Sequence, residues 1–171
     1  ANTSLVVDDP SNTDKLIRKL DKRISEYFDH GYTLDDLTLS GITLTLDINV
    51  GSREKVSDYL KVLQRIGKVK GFSPVDYGCF ADKASFCLSG NSNDIDFLLY
   101  DLENAVMGQL RGTDAGRKQL QSASEQTKGI LRAEVKFTKP KAVREYADAA
   151  DVSGQITKIV KCSADIFMET F

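Results

Sequence analysis

The sequence predicts an α+β fold with an antiparallel sheet, on three observations. Every second residue is apolar from Ile42 to Val50, and the same alternation recurs from Leu131 to Thr138. A period of two places the apolar side chains of a strand on one face and leaves the other face to water. Apolar stripes of helical period lie between and around these two segments, which supplies the third observation.

The first predicted element is an amphipathic helix over residues 13–31. Its apolar residues recur at steps of three and four, and Gly31 is placed to end it. Residues 1–12 are polar around one short apolar run and are predicted to be a flexible arm or linker. The basic residues on the other side of the helix are interpreted as a solvated face; they are Lys15, Arg18, Lys19, Lys22 and Arg23.

After the first strand, Ser52 is a predicted N-cap for a helix whose buried stripe includes Val56, Leu60 and Leu63. A hairpin follows, with arms at 69–80 and 84–88, and Pro74 makes its first arm an edge strand or a bulged one. Residues 94–110 are predicted to be helical, because their apolar residues form a stripe; these are Ile95, Leu98, Leu99, Leu102, Val106 and Leu110.

A polar helix is predicted over 113–127, and the second strong strand comes next. Pro140 suits the first turn of a short helix, and residues 155–171 are predicted to be a strand. Residues 37–138 then read as a β-α-β-β-α-β unit, which is the ferredoxin-like arrangement with both helices on one face of the sheet. A single domain over 13–171 is expected, with 139–171 as a C-terminal extension.

Composition excludes some classes of function. The chain has 171 residues, is 41% hydrophobic and carries a formal net charge of -2. It has no long basic run, which argues against a nucleic-acid partner. It also has no apolar run long enough for a membrane span. An organised core is expected, and no cofactor or metal is indicated.

No catalytic constellation stands out among the polar residues. His30 is the only histidine, and its place at a helix end is favoured by the helix dipole without any catalytic role. Glycines at 108, 112 and 116 lack the Gly-Lys-Ser/Thr of a phosphate loop. The acidic residues at 35, 36, 148 and 151 are expected in turns or caps, although paired carboxylates can also serve acid–base chemistry.

The cysteines suggest one possible covalent link. Cys79 and Cys87 lie on the two arms of the predicted hairpin, roughly opposite each other if the turn centres near residues 82–83. In an oxidising compartment they are candidates for a disulfide, and in the cytosol they are expected to be buried thiols. Cys162 is the remaining cysteine.

The segment from Leu37 to Val69, preceded by an amphipathic helix, resembles the periplasmic ferredoxin-like domain of the inner-membrane assembly proteins of type IV pilus and type II secretion machines. The resemblance lies in a strand ending in a small polar turn, then a helix carrying Val56, Leu60 and Leu63, then a hairpin. It covers roughly Leu16 to Leu110, and the residues from Gly112 onward have no clear counterpart. It implies a non-enzymatic scaffold that forms homo- or heterodimers in an envelope complex, and it supplies no catalytic residues.

We therefore expect an extracytoplasmic, periplasmic protein–protein interaction domain. Pairing in the manner of a coiled coil is expected through Leu16, Leu20, Ile24 and Tyr27. Because the chain begins at Ala1, either an upstream signal or membrane anchor is missing, or the N-terminus is trimmed. The alternatives are a cytosolic ferredoxin-like regulatory domain that binds a small ligand at a dimer interface and, third, a cofactor-free enzyme using carboxylates.

Overall fold

The structure is a computed structural model that describes residues 12–28, 31–65, 69–75, 85–92, 94–111 and 117–162. Its backbone contacts divide the chain into two compact units. One comprises residues 1–42 and 138–171, and the other comprises residues 43–137. The prediction of one domain over 13–171 stays a prediction.

The larger unit is built on a five-stranded antiparallel sheet. Its strands, as described, are β1 (Ile42–Asn49), β2 (Phe72–Pro74), β3 (Ser85–Gly90), β4 (Ile95–Asp101) and β5 (Ile130–Phe137). Their order across the sheet is β1-β5-β4-β3-β2. Both predicted ribbons are confirmed as strands, and they lie side by side in this sheet. The pairing of β2 with β3 confirms the hairpin, with Pro74 in an edge strand.

The pairing register of the strands shows which residues share a face of the sheet. Phe86 pairs with Leu99, which pairs with Ala133, and this face is buried throughout its centre. On the opposite face Cys87 pairs with Leu98, which pairs with Glu134. The burial of β5 alternates strictly along its length, because every second residue belongs to the apolar face.

The described part of this unit also contains three helices: α2 (Arg53–Leu63), α3 (Leu102–Arg111) and α4 (Arg117–Thr127). The predicted cap is confirmed, since Ser52 accepts a hydrogen bond from the N–H of Lys55 at 3.3 Å. α2 buries Val56 and Leu60 and packs against β3, β4 and β5. α3 packs against α4 and against β4 and β5.

The smaller unit contains α1 (Thr13–Tyr27), α5 (Pro140–Ala147) and α6 (Val152–Lys161), with a 3₁₀ turn at Leu34–Asp36. The helix begun by Pro140 is confirmed. The N-terminal helix is confirmed too, but it ends at Tyr27 and not at Gly31 as predicted. The core of this unit is an apolar cluster that joins α1, the 3₁₀ turn and α6. Its buried members are Leu16, Leu34, Val152, Ile156 and Val160.

The predicted helix over 94–110 is wrong in its first half, where the chain forms β4. Residues 95–100 are almost continuously apolar, and in a central strand both faces are covered, so both sets of side chains are buried. A short run of this kind also matches a helical stripe, so periodicity alone does not separate the two structures. The helix begins only at Leu102.

The predicted strand over 155–171 is also wrong, since residues as far as Lys161 form α6. Val152, Ile156, Ile159 and Val160 are spaced for one helical face, and all four are buried. The apolar stripe of this helix begins at Val152, upstream of the predicted strand. Residues 163–171 lie outside the described residues.

The mixed α+β class and the antiparallel sheet are established, but the strand order does not confirm the ferredoxin-like arrangement. Two strands, β5 and β4, lie between β1 and β3. The connection from β4 to its neighbour β5 carries the helical pair α3 and α4.

Candidate interaction surface

The outer edge of β1 is the feature of the larger unit that is most suited to contact another molecule. β1 is eight residues long and pairs on one side only, with β5, within the part of the sheet that the structure describes. Thr43, Thr45, Asp47 and Asn49 are exposed. Backbone groups along an unpaired edge are ready to pair with a further strand.

The orientation of β1 follows from its contacts with β5. The N–H of Val50 donates to the carbonyl of Gly129 at 2.9 Å, and the side chain of Arg132 binds Asp47. In an antiparallel ladder, hydrogen-bonded pairs alternate with non-hydrogen-bonded pairs. The even-numbered residues of β1 therefore direct their backbone groups to β5, and the odd-numbered ones direct theirs outward.

Leu46 is the exposed apolar residue of this edge strand. Its side chain is 42% exposed, whereas Leu44 on the same face is buried. Both belong to the alternation that predicted the strand, so the sequence pattern does not distinguish them. Leu46 therefore leaves exposed apolar surface at the edge of a face whose centre is buried.

The other face of the sheet carries a row of paired charges close to β1. Arg132 donates to the two carboxylate oxygens of Asp47 at 2.6 and 2.8 Å, and Lys136 lies 3.2 Å from Glu134. The hydroxyl of Tyr100 donates to Glu134. Burial is the main cause that raises the pKa of Tyr100, and the hydrogen bond to Glu134 is the second. The row is balanced in charge and ties β1, β5 and β4 together.

A buried carboxylate joins α2, α3 and α4 of the larger unit. Glu103 of α3 is 1% exposed and receives two hydrogen bonds from Arg53 of α2 and one from Ser124 of α4. The hydrogen bond from Arg53 lowers the pKa of Glu103, which keeps it ionised. Burial raises the pKa of the neighbouring Asp101. The sequence pattern does not reveal this network, because a charged residue at position 103 of a helix is expected on the exposed face.

The residues predicted for pairing in the manner of a coiled coil occupy different environments. Leu16 is buried in the core of the smaller unit, and Leu20 and Ile24 are partly buried against that core. Tyr27 is 71% exposed, and beyond it the rings of Phe28 and Tyr32 meet edge to face at 5.9 Å. The pairing role stays a prediction, with three of its four residues packed within this chain.

The predicted disulfide is not tested, because Cys79 lies outside the described residues. Cys87 is buried in β3, where its carbonyl accepts the N–H of Val75 at 3.1 Å. The observed register thus sets Val75 beside Cys87. Cys162 follows α6 directly and is partly buried.

The acidic residues considered for acid–base chemistry take part in turns and caps of the smaller unit. Asp36 forms a capping box with Thr33, and Asp151 caps α6 by accepting from the N–H of Gly154. Asp35 accepts from the N–H of Ser153 at 2.8 Å. Asp148 ends α5 in the left-handed conformation. The hydrogen bonds to Asp36 and Asp151 lower the pKa of each.

The remaining predicted features carry no site in the described structure. His30, Gly112 and Gly116 lie outside the described residues, and Gly108 is exposed on α3. Within the described ranges no group of three or more His, Cys, Asp or Glu residues is arranged to hold a metal ion. None of the helices that the structure describes has the length and apolarity to cross a membrane.

No family model, curated protein or solved structure matches this chain.

Proposed function

We propose that this chain is a non-enzymatic protein–protein interaction module that accepts a strand from another polypeptide along the outer edge of β1. The observation that carries the proposal is the edge itself: an eight-residue strand with five exposed residues and no proline. In strand addition, main-chain hydrogen bonds supply affinity, and alternate side chains supply specificity.

The contrast with the opposite edge of the sheet supports this proposal. The described part of β2 is three residues long and includes Pro74, which cannot donate to a ladder. Short length and proline are devices that proteins use to prevent strand addition. β1 has neither, and its one charged residue, Asp47, is already bound to Arg132.

A narrower proposal concerns the biological setting. We propose an extracytoplasmic domain of a pilus or secretion assembly complex, with a membrane anchor in a segment absent from this chain. Its support is the resemblance of residues 37–69, together with the antiparallel α+β architecture in which β1 is followed by α2 and by the β2–β3 pair.

The broad proposal is tested by peptide binding. Ten-residue extended peptides are selected from a displayed library on the intact chain, and their binding is measured by fluorescence anisotropy. We expect Thr45→Pro to weaken the selected peptides at least about tenfold, because residue 45 directs its N–H outward. Thr45→Ala keeps that N–H and is the matched control, so equal binding by the two variants would contradict the proposal.

A further inference from the structure

We propose that the strand received by β1 is β1 of a second copy of this chain, in an antiparallel pair whose two-fold axis passes beside Leu46. This inference rests on the proposed function and identifies its partner. A two-fold contact of this kind is isologous, because the same surface is used by both copies.

Backbone geometry limits the registers that such a pair can adopt. The odd-numbered residues of β1 direct their N–H and carbonyl groups outward, as the contact between Val50 and Gly129 indicates. Hydrogen-bonded pairs across the new contact must therefore join odd residues of the two copies. This condition keeps the apolar face of one copy continuous with the apolar face of the other.

Leu46 selects among these registers. With the axis beside it, Leu46 lies opposite Leu46 of the partner in a non-hydrogen-bonded pair, where side chains approach most closely. The two 42% exposed leucines then cover each other at the junction of the two sheets. Leu44 lies opposite Ile48 in the same register, which is a second apolar pair.

Charge is compatible with the same register. Asp47 lies opposite Thr45 of the partner, so a carboxylate faces a hydroxyl, and Thr43 lies opposite Asn49. Moving the axis to Asp47 would instead set two carboxylates directly opposite each other, which is destabilising. The register centred on Leu46 also pairs every residue from Thr43 to Asn49.

Sedimentation velocity of the intact chain, across micromolar concentrations, tests the partner. We expect a monomer–dimer equilibrium that Thr45→Pro weakens at least about tenfold and Thr45→Ala leaves unchanged. Circular dichroism and a thermal melt verify that both variants fold. A chain that stays monomeric, or a dimer that Thr45→Pro leaves intact, would overturn this inference. The peptide experiment above would still decide the broader proposal by itself.

Crosslinking tests the register. Oxidation of Leu46→Cys by diamide should give a covalent dimer, with the bridge mapped to residue 46 by mass spectrometry. Thr43→Cys is the matched control, since residue 43 lies opposite Asn49 and not opposite itself. Wild type under the same oxidant supplies the background from the native cysteines. A bridge at residue 43 that forms as readily as the one at 46 would overturn the proposed register.

Discussion

Gly51, between β1 and α2, and Gly129, between α4 and β5, make comparable demands on the backbone but differ in their surroundings. Gly51 and Gly129 both have positive φ, at 92° and 73°. A Cβ at Gly129 would lie 2.9 Å from backbone atoms of Gly51 and Ser52, whereas a Cβ at Gly51 would meet nothing within 4 Å. The close approach at Gly129 accompanies the hydrogen bond from Val50.

We expect Gly129→Ala to lower the free energy of unfolding by about 2–4 kcal/mol, and Gly51→Ala by about 1 kcal/mol. Both alanines adopt a left-handed conformation, but the alanine at 129 also pushes against backbone that cannot rotate away. Urea unfolding followed by circular dichroism measures the difference. Equal losses for the two variants would show that the contact across the junction is relaxed.

The buried charge of Glu103 is also expected to contribute to the free energy of unfolding. Glu103→Gln removes the charge that pairs with Arg53, and we expect a loss of about 2–3 kcal/mol, because the buried site is built to receive three donors. Lys61→Gln is the control, since Lys61 and Asp58 form an exposed pair on α2, and should cost less than about 0.5 kcal/mol. The same urea experiment measures both, and similar losses would contradict this view of Glu103.

Among the secondary-structure elements, α6 is stabilised at its start by two acidic residues from different parts of the chain. Asp151 accepts from the N–H of Gly154, and Asp35 accepts from the N–H of Ser153. We expect Asp151→Ala to lower the melting temperature and Asp151→Asn to lower it much less, because asparagine retains a cap acceptor. Thermal melts of the two variants test this, and a silent Asp151→Ala would show that Asp35 suffices.

The elements also show where sequence reasoning succeeds and where it fails. β1, β5, α1 and α2 were predictable, because each has one buried face and therefore a clear period in its sequence. β4 was not, because a strand covered on both faces loses its alternation. The interaction surface was predictable in part: a protein–protein interaction domain was expected, but the location of β1 at an edge depends on strand order, which no local pattern encodes.

The whole molecule is expected to lose stability in acid. The folded state lowers the pKa of Glu103, Glu54, Asp36 and Asp151. A carboxyl with a lowered folded pKa contributes stability above its unfolded pKa, and this contribution is lost as pH falls through the folded pKa. Asp101 has a raised pKa and acts in the opposite sense, since its contribution is lost as pH rises through the folded value.

We therefore expect the free energy of unfolding to fall between about pH 5 and pH 3. Glu103→Gln should make this fall shallower, and Asp101→Asn should make it steeper, because the two variants remove contributions of opposite sign. Urea titrations at a series of pH values measure all three slopes. Parallel curves for the three proteins would contradict the pKa shifts described for these two residues.

The proline in β2 has a consequence for how far any assembly of this chain can grow. A sheet with two edges that accept strands can add copies without limit and form fibres. A sheet with one such edge can add no further copy once that edge is occupied. Within the residues that the structure describes, Pro74 and the short length of β2 leave β1 as the receptive edge of this sheet. Growth through β1 would therefore stop at two molecules, which spares the chain from polymerising along its own strands.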